Sequence, residues 1–388
     1  MSPVGPGAVI IYDFLVIGAG IAGASIGHEL ARKSRVVMVE AEARPGVHST
    51  GRSAALFAPT YGGRAIRALT RASRAFFDRP PEGFCDHALL RQRGCLYPAR
   101  DDQRGSLARM AADIKASGGR VSLIDADAAL AYVPLLRRDY VVEAAFDLDA
   151  MDIDVDALHH GFLREARAAG AQLWTNERAV AADWRGDYWL VQLSTREVGA
   201  RIVVNAAGAW ADDTAALFGA RPVRLSPLRR TAVLIDPPPD CGMNAWPAVI
   251  DVDEMFYFKP EAGKLLLSPA DETLTGPGDA HAEEVDIAIA VDRVQAALDI
   301  EVRRVTHSWA GLRTFAPDRA PVVGFDGLAP GFFWCAGQGG YGIQTAPAMS
   351  RTAAALALGG NTPDDVAAEG LDLGAISPAR FMPPKSLK

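Results

Sequence analysis

Three glycines, Gly18, Gly20 and Gly23, follow the apolar run 14–17 and open a second apolar stretch through Ile26 and Leu30. In this GxGxxG spacing they permit a tight turn, a close backbone approach to a pyrophosphate, and close packing of a helix on a strand. The N-terminus of that helix offers free N–H groups and the positive end of a dipole to phosphate oxygens. Another apolar run, 36–39, ends at Glu40, about twenty residues on, where a carboxylate can accept hydrogen bonds from a ribose diol. The same charge repels a 2′-phosphate and argues against NADP. These residues are suited to holding an adenine dinucleotide.

Two further stretches favour FAD over NAD. Residues 46–54 (GVHSTGRSA) are rich in small and hydroxyl side chains that can donate to the phosphates and ribityl chain of a long dinucleotide. Residues 337–342 (GQGGYG) can bring a second helix N-terminus to an isoalloxazine ring. A positive dipole end there stabilises the negative charge that develops at N1–C2=O on reduction.

The elements that must position these groups follow from periodicity. Strand, glycine turn, helix and strand over 14–40 make one βαβ unit, with strands apolar enough to be buried on both faces. Leu107, Met110, Ala111 and Ile114 share one helical face, stopped by Gly118-Gly119. Leu158, Phe162 and Ala166 mark a helix begun near Asp154 or Asp156. Short strand-like runs at 178–184, 188–193 and 201–204 lead to Asn205. From 228 to 268 the pattern is all β, with strands expected at 231–235, 248–251, 255–259 and 264–268. Ile287, Val291, Val294 and Leu298 form a helical stripe. The run 332–334, the glycine turn and an Ala-rich helix over 345–358 close the chain. The order predicts an α/β protein. Residues 1–85, 145–220 and 308–388 form a discontinuous nucleotide-binding domain, and residues 86–144 and 221–307 form a substrate domain.

Composition narrows the function. With 388 residues, 49% of them hydrophobic and 22% charged, the chain is neither disordered nor fibrous. A net charge of −7 without a basic tract excludes nucleic acid, so a bound anion must be met by a few placed arginines. The four cysteines form no CxxC and the seven histidines no HExxH, which weighs against a metal. The stretch 8–24 has no basic residue before it and is interrupted by Asp13, so it reads as a buried strand and not a transmembrane segment or signal sequence. The last three residues, Ser386-Leu387-Lys388, are not in the peroxisomal order. A cytoplasmic protein is expected.

Five stretches in order resemble the D-amino-acid oxidase (DAO) superfamily of FAD enzymes, which includes glycine and sarcosine oxidases and D-amino-acid dehydrogenases. They are 13–23 (DFLVIGAGIAG), 48–53 (HSTGRS), 204–210 (VNAAGAW), 309–313 (WAGLR) and 338–345 (QGGYGIQT). The resemblance spans almost the whole chain and is strongest toward bacterial D-amino-acid dehydrogenases of the D-arginine dehydrogenase kind. It implies a Rossmann-like FAD domain of the glutathione-reductase type and an α+β substrate domain with a mixed β-sheet. Along the cofactor it implies Gly18, Gly20, Ala22, Gly23, Glu40, Ala41, Ser49, Thr50, Gly51, Arg52, Ser53, Ala54, Val180, Gly208, Gly339, Gly340, Tyr341, Gly342, Ile343 and Gln344. Arg230 and Arg313 match positions that pair with a substrate carboxylate, which suits the two parallel donors of a guanidinium. Strand alternation turns only one of Arg229 and Arg230 inward. Tyr61 and Tyr257 match positions near the carboxylate, and Gln344 and the Gly340 carbonyl match the flavin–amine contact.

The chain also departs from that pattern. Leu56 and Cys95 stand where arginine-using relatives have a histidine and an acid, so the substrate pocket is expected to be apolar unless a loop rearrangement swings Asp86 into the vacant acidic role. No cysteine lies near Gly311, where covalently flavinylated relatives carry one, so FAD is expected to be non-covalent. The expected activity is oxidation of the Cα–N bond of a D-amino acid by hydride transfer from Cα to flavin N5. The imine product then hydrolyses to a 2-oxo acid and ammonia, and a quinone or oxygen reoxidises the flavin. An N-methyl amino acid or 2-hydroxy acid is the alternative substrate, and a non-catalytic flavoprotein subunit is the alternative of another kind.

Overall fold

The first apolar run is the strand Ile11–Ile17, central in an eight-stranded sheet, with Leu15 and Val16 fully buried. It pairs in parallel with Val36–Val39 on one side and with Glu197–Asn205 on the other. Gln172–Trp174 continues the sheet beyond Val36–Val39, and Phe332–Ala336 pairs in parallel with Glu197–Asn205. The computed structural model describes residues 9–239 and 241–381, so the C-terminal tripeptide lies outside the described residues.

Side-chain alternation divides this sheet between two cores. Phe14, Val16, Val36 and Met38 face the helices Ile21–Ala31, Val155–Ala168 and Gly342–Ala357, whose Ile26, Phe162 and Met349 share that core. Tyr12, Leu15, Ile17 and Val37 face the other way, toward the short helix Ala211–Leu217. Burying each large apolar side chain contributes roughly 1.5–3 kcal/mol. The first helix can sit this close to its strand only because it carries glycines. A Cβ on Gly23 would fall 1.8 Å from the Gly18 carbonyl oxygen, and one on Gly27 would fall 2.5 Å from Met38 Sδ.

A ten-stranded mixed sheet forms the second layer. Its order runs Gln338–Gly339, Val305–Phe315, Ser226–Ile235, Lys264–Ser268, Tyr257–Glu261, Ala248–Ile250, Cys95–Ala99, Glu143–Asp147 and Ser122–Asp125, with Thr273–Leu274 beside Ser226–Ile235. Val305–Phe315 is thus a member of this sheet, although the linear division gives most of it to the nucleotide domain. The Gln338–Gly339 pairing opposite Thr314 and Phe315 fastens the C-terminal glycine turn to it. A third, three-stranded sheet pairs Leu56–Phe57 and Leu90–Gln92 with Met151–Ile153.

Several bounds differ from the sequence reading. Asp154, not Asp156, caps its helix, its carboxylate accepting from Ala157 N at 2.9 Å. The C-terminal helix begins at Gly342 and not Thr345, so the glycine turn runs directly into its N-terminus. The strand of the paired arginines begins at Ser226, and that of Tyr257 begins at Tyr257 itself. A helix over Arg64–Asp78 was not anticipated, although Ile66, Leu69, Ser73 and Phe77 share a buried face, with Arg64 and Arg71 on the other side. Among the described residues no helix is long and apolar enough to cross a membrane.

Candidate active site

Two cavities meet at Ser49 and Thr50, which line both; they hold about 840 and 1220 Å³ of space open to solvent. The first follows the edge of the parallel sheet, past Gly18, Gly20, Glu40, Ala41 and Gly208. Glu40 is held in place by its neighbours: Oε2 accepts from Ala19 N and Oε1 from Glu42 N, each at 3.0 Å. A carboxylate fixed in this way keeps lone pairs for a further donor, as a ribose diol requires. His159 secures the turn from behind, its Nε2 bonded to the Ala19 carbonyl at 2.8 Å.

The 46–54 loop is stitched between the two sheets. Thr50 Oγ1 accepts from Ile21 N at 3.0 Å and so caps the first helix, and Ser49 Oγ donates to Leu312 O at 2.6 Å. Arg52 donates to Ala280 O and Ala310 O at 2.7 and 3.0 Å and pairs with Asp279. Trp309 Nε1 returns a bond to Arg52 O at 3.0 Å. Arg52 is thereby a clamp on the second sheet, although it also lines the second cavity with Ser53 and Ala54.

That second cavity brings together Leu56, Tyr61, Arg230, Tyr257 and Arg313 with Gly339, Gly340, Gly342, Ile343 and Gln344. Strand register sets the arginines: Arg230 stands opposite Gly311, and Arg313 opposite Leu228. Alternation resolves the neighbouring pair. Arg230 faces the cavity, whereas Arg229 turns to the helix Glu284–Ala297 and its cap, pairing with Glu283 and, at 2.8 Å, with Asp286. Arg230 lies 5.9 Å from the Tyr257 ring centre. Gly340 packs on the other guanidinium so closely that a Cβ there would lie 2.7 Å from Arg313 Cζ. Among the described residues Arg313 has no carboxylate partner. Burial opposes its charge, but the phenol oxygens of Tyr61, Tyr257 and Tyr341 raise its pKa. Burial likewise pushes Tyr61 up against the pull of Arg313, so Tyr61 remains a neutral donor.

Some residues implied by the resemblance lie elsewhere. Cys95 is fully buried and does not line the cavity. It packs with Ala58, Tyr97 and Ala150, while Ala248, Ile250 and Leu56 form the cavity wall at that level. Val180 is half exposed, and its strand presents Ala179 to the first cavity, after Glu177 and Arg178. Tyr341 turns out of the lining to meet Tyr61 edge to face, ring centres 5.3 Å apart. Gly51 closes its loop through a 2.8 Å bond to Gly46 O, and Ala22 and Gly23 lie in the helix behind the turn. Asp86 is exposed and lines neither cavity.

The sequence reading missed Glu254. Its loop is folded around buried Asp251, which accepts from Asp253 N and Met255 N, and Glu254 itself takes a φ of 56°. Its carboxylate reaches the second cavity and accepts from Tyr61 Oη at 3.3 Å. A loop acid whose partner is distant in sequence leaves no periodic signal. His48 and Trp210 line the first cavity with their rings 4.8 Å apart, both inside motifs quoted above but assigned no role there.

Two buried atoms support the fit of a dinucleotide to these cavities. Among the described residues His48 Nδ1 and Gln344 Nε2 have no hydrogen-bond partner, and each belongs to a residue lining one cavity. Buried polar groups are normally paired, so these two atoms, each on a cavity-lining residue, are open to a ligand's polar groups. Glu40 and the first helix N-terminus would hold the adenosine and pyrophosphate, and the 342–344 turn the flavin.

Comparison with known proteins agrees. The family described as FAD dependent oxidoreductase (DAO) matches residues 13–356. An uncharacterized oxidoreductase of Bacillus subtilis (strain 168), YurR, is 23% identical over 95% of this chain and 98% of its own. The crystal structure of glycine oxidase from Geobacillus kaustophilus superposes with a TM-score of 0.81 at 22% identity, covering 93% of this chain and 98% of that one. L-proline dehydrogenase from P. horikoshii gives 0.82 at 23%, covering 95% and 97%. The chain has the fold of these flavoenzymes and belongs to the FAD-dependent oxidoreductase family, DAO.

Proposed function

We propose that this enzyme oxidises the Cα–N bond of D-amino acids and favours apolar side chains over cationic ones. The observation that carries the reading is Arg313, a guanidinium on the cavity wall without an acidic partner among the described residues, with Arg230 on the neighbouring strand. Such a pair calls for a carboxylate. FAD, when bound, supplies the two-electron acceptor. The chain's own residues hold and orient: Arg313 and Arg230 the carboxylate, Tyr61 and Tyr257 its flanks, and Gln344 and the Gly340 carbonyl the amine. Leu56, Ala248 and Ile250 offer an apolar wall to the side chain. Glu254 is solvated at the rim and does not supply a buried partner for a guanidinium.

Initial rates over D- and L-leucine, D-methionine, D-phenylalanine, D-arginine, sarcosine and D-lactate test this. Apolar burial gains about 25 cal/mol per Å², enough to place D-leucine more than tenfold above D-arginine in kcat/KM. Faster turnover of L-leucine, sarcosine or D-lactate would overturn the substrate class. If D-arginine proved best, the pocket reading would fail and Glu254 would be the acid to mutate. Peroxide release against dye-linked reduction separates oxygen from a quinone as acceptor.

Acid precipitation of the holoenzyme is expected to release all the yellow colour. Neither buried cysteine lines the cavities, and burial pushes the thiol of Cys335 up to about 12, where it is not a nucleophile. Flavin retained in the washed pellet would contradict non-covalent binding.

A further inference from the structure

Arg230 and Arg313 are not electrostatically equal. Arg230 donates Nε to Asp271 O at 2.8 Å and places Nη2 3.3 Å from Glu272 Oε1. Asp271 is fixed in turn, its carboxylate accepting from Thr231 N at 2.7 Å and Thr231 Oγ1 at 3.0 Å. Glu272 therefore follows an anchored residue. Its far side is taken by Arg319, with fork contacts of 2.9 Å to Oε2 and 2.7 Å to Oε1. Arg319 lies in the left-handed region at φ 62°, with its guanidinium 3.9 Å over the Phe315 ring. Burial acts to raise the pKa of Glu272, but Arg319, Arg230 and Arg313 outweigh it and keep the group ionised. Glu272 does not line the cavity, so it acts from behind Arg230.

We propose that Glu272, held by Arg319, is a charge counterweight to Arg230 that leaves Arg313 as the cavity guanidinium without a paired carboxylate among the described residues, and so selects substrates carrying one carboxylate over dicarboxylic ones. Glu272 is then a positioning and specificity-determining residue. The inference rests on the carboxylate reading given above. It adds that the carboxylate is gripped unequally, by a free fork at Arg313 and by one partly neutralised edge at Arg230.

The test measures calorimetric binding of two probe anions to the FAD-loaded protein: isovalerate, which has one carboxylate, and glutarate, which has two. Glu272→Gln keeps the volume and a hydrogen bond but removes the charge, and is expected to tighten glutarate about tenfold and isovalerate less. Arg319→Met leaves Glu272 with Arg230 as its remaining close cation, and is expected to weaken both probes several-fold. Effects of opposite sign are the signature, because damage to the fold moves both variants toward weaker binding. Two variants that both weaken binding, or an unchanged glutarate-to-isovalerate ratio in Glu272→Gln, would overturn the counterweight. Failure of the wild-type protein to bind either anion would instead overturn the carboxylate reading, and this inference with it.

Discussion

Arg313→Met is expected to lower kcat/KM for the best amino-acid substrate by roughly 30- to 1000-fold, chiefly through KM, with flavin content unchanged. The range follows from the loss of a charge-assisted, bidentate contact, on the order of 2–4 kcal/mol, at tenfold for every 1.4 kcal/mol. The upper half is favoured because Arg313 has no carboxylate partner among the described residues, and Tyr61, which shares its guanidinium, is a neutral phenol. Arg313→Lys retains the charge but loses the planar fork and should fall between wild type and Arg313→Met. Normal steady-state kinetics in Arg313→Met would remove the residue from the site, and loss of flavin would show that it supports the cofactor instead.

Gly23→Ala is expected to yield protein without flavin. The added Cβ would meet the Gly18 carbonyl oxygen at 1.8 Å and Val16 Cγ1 at 3.3 Å. Gly18 cannot retreat, since its N–H is bonded to Val39 O at 2.8 Å and its own Cα faces Ala206 O. The helix must therefore lift off the strand and carry its N-terminal N–H groups away from the pyrophosphate position. Overpacking against flexible side chains costs about 1–3 kcal/mol, and a clash with fixed backbone exceeds that. The measurements are absorbance near the flavin band per mole of protein and the Tm. Gly63→Ala is the control, since a Cβ there meets nothing within 4 Å. Full flavin occupancy and an unchanged Tm in Gly23→Ala would sink the packing argument.

The parts of the fold legible in the sequence were those set by local rules. The βαβ unit from Ile11 to Glu40 could be read because its glycines, apolar runs and terminal acid lie within one short span. Side-chain direction across a sheet was harder. Correspondence with relatives pointed to Cys95, but its strand turns that side chain into a neighbouring core, and Ala248 stands at the cavity. Arg229 and Arg230 could not be told apart until the helix bearing Asp286 was seen to claim the first. Glu254 and Glu272 were not anticipated, because each acts through residues remote in sequence, Tyr61 and Arg319. The Arg64–Asp78 helix is a different case, since its apolar spacing is plain in the sequence and went unused.

The pairing of Ile11–Ile17 with Glu197–Asn205 has a consequence for biosynthesis. The central strand is made before residues 18–196, which separate it from one of its two neighbours. The Gln338–Gly339 fastening comes later still. Closing such long loops costs entropy before any contact repays it, so chains of this topology fold slowly and expose apolar strands meanwhile. In the strand Ile11–Ile17, Leu15 and Val16, destined for complete burial, stay exposed until that later pairing forms.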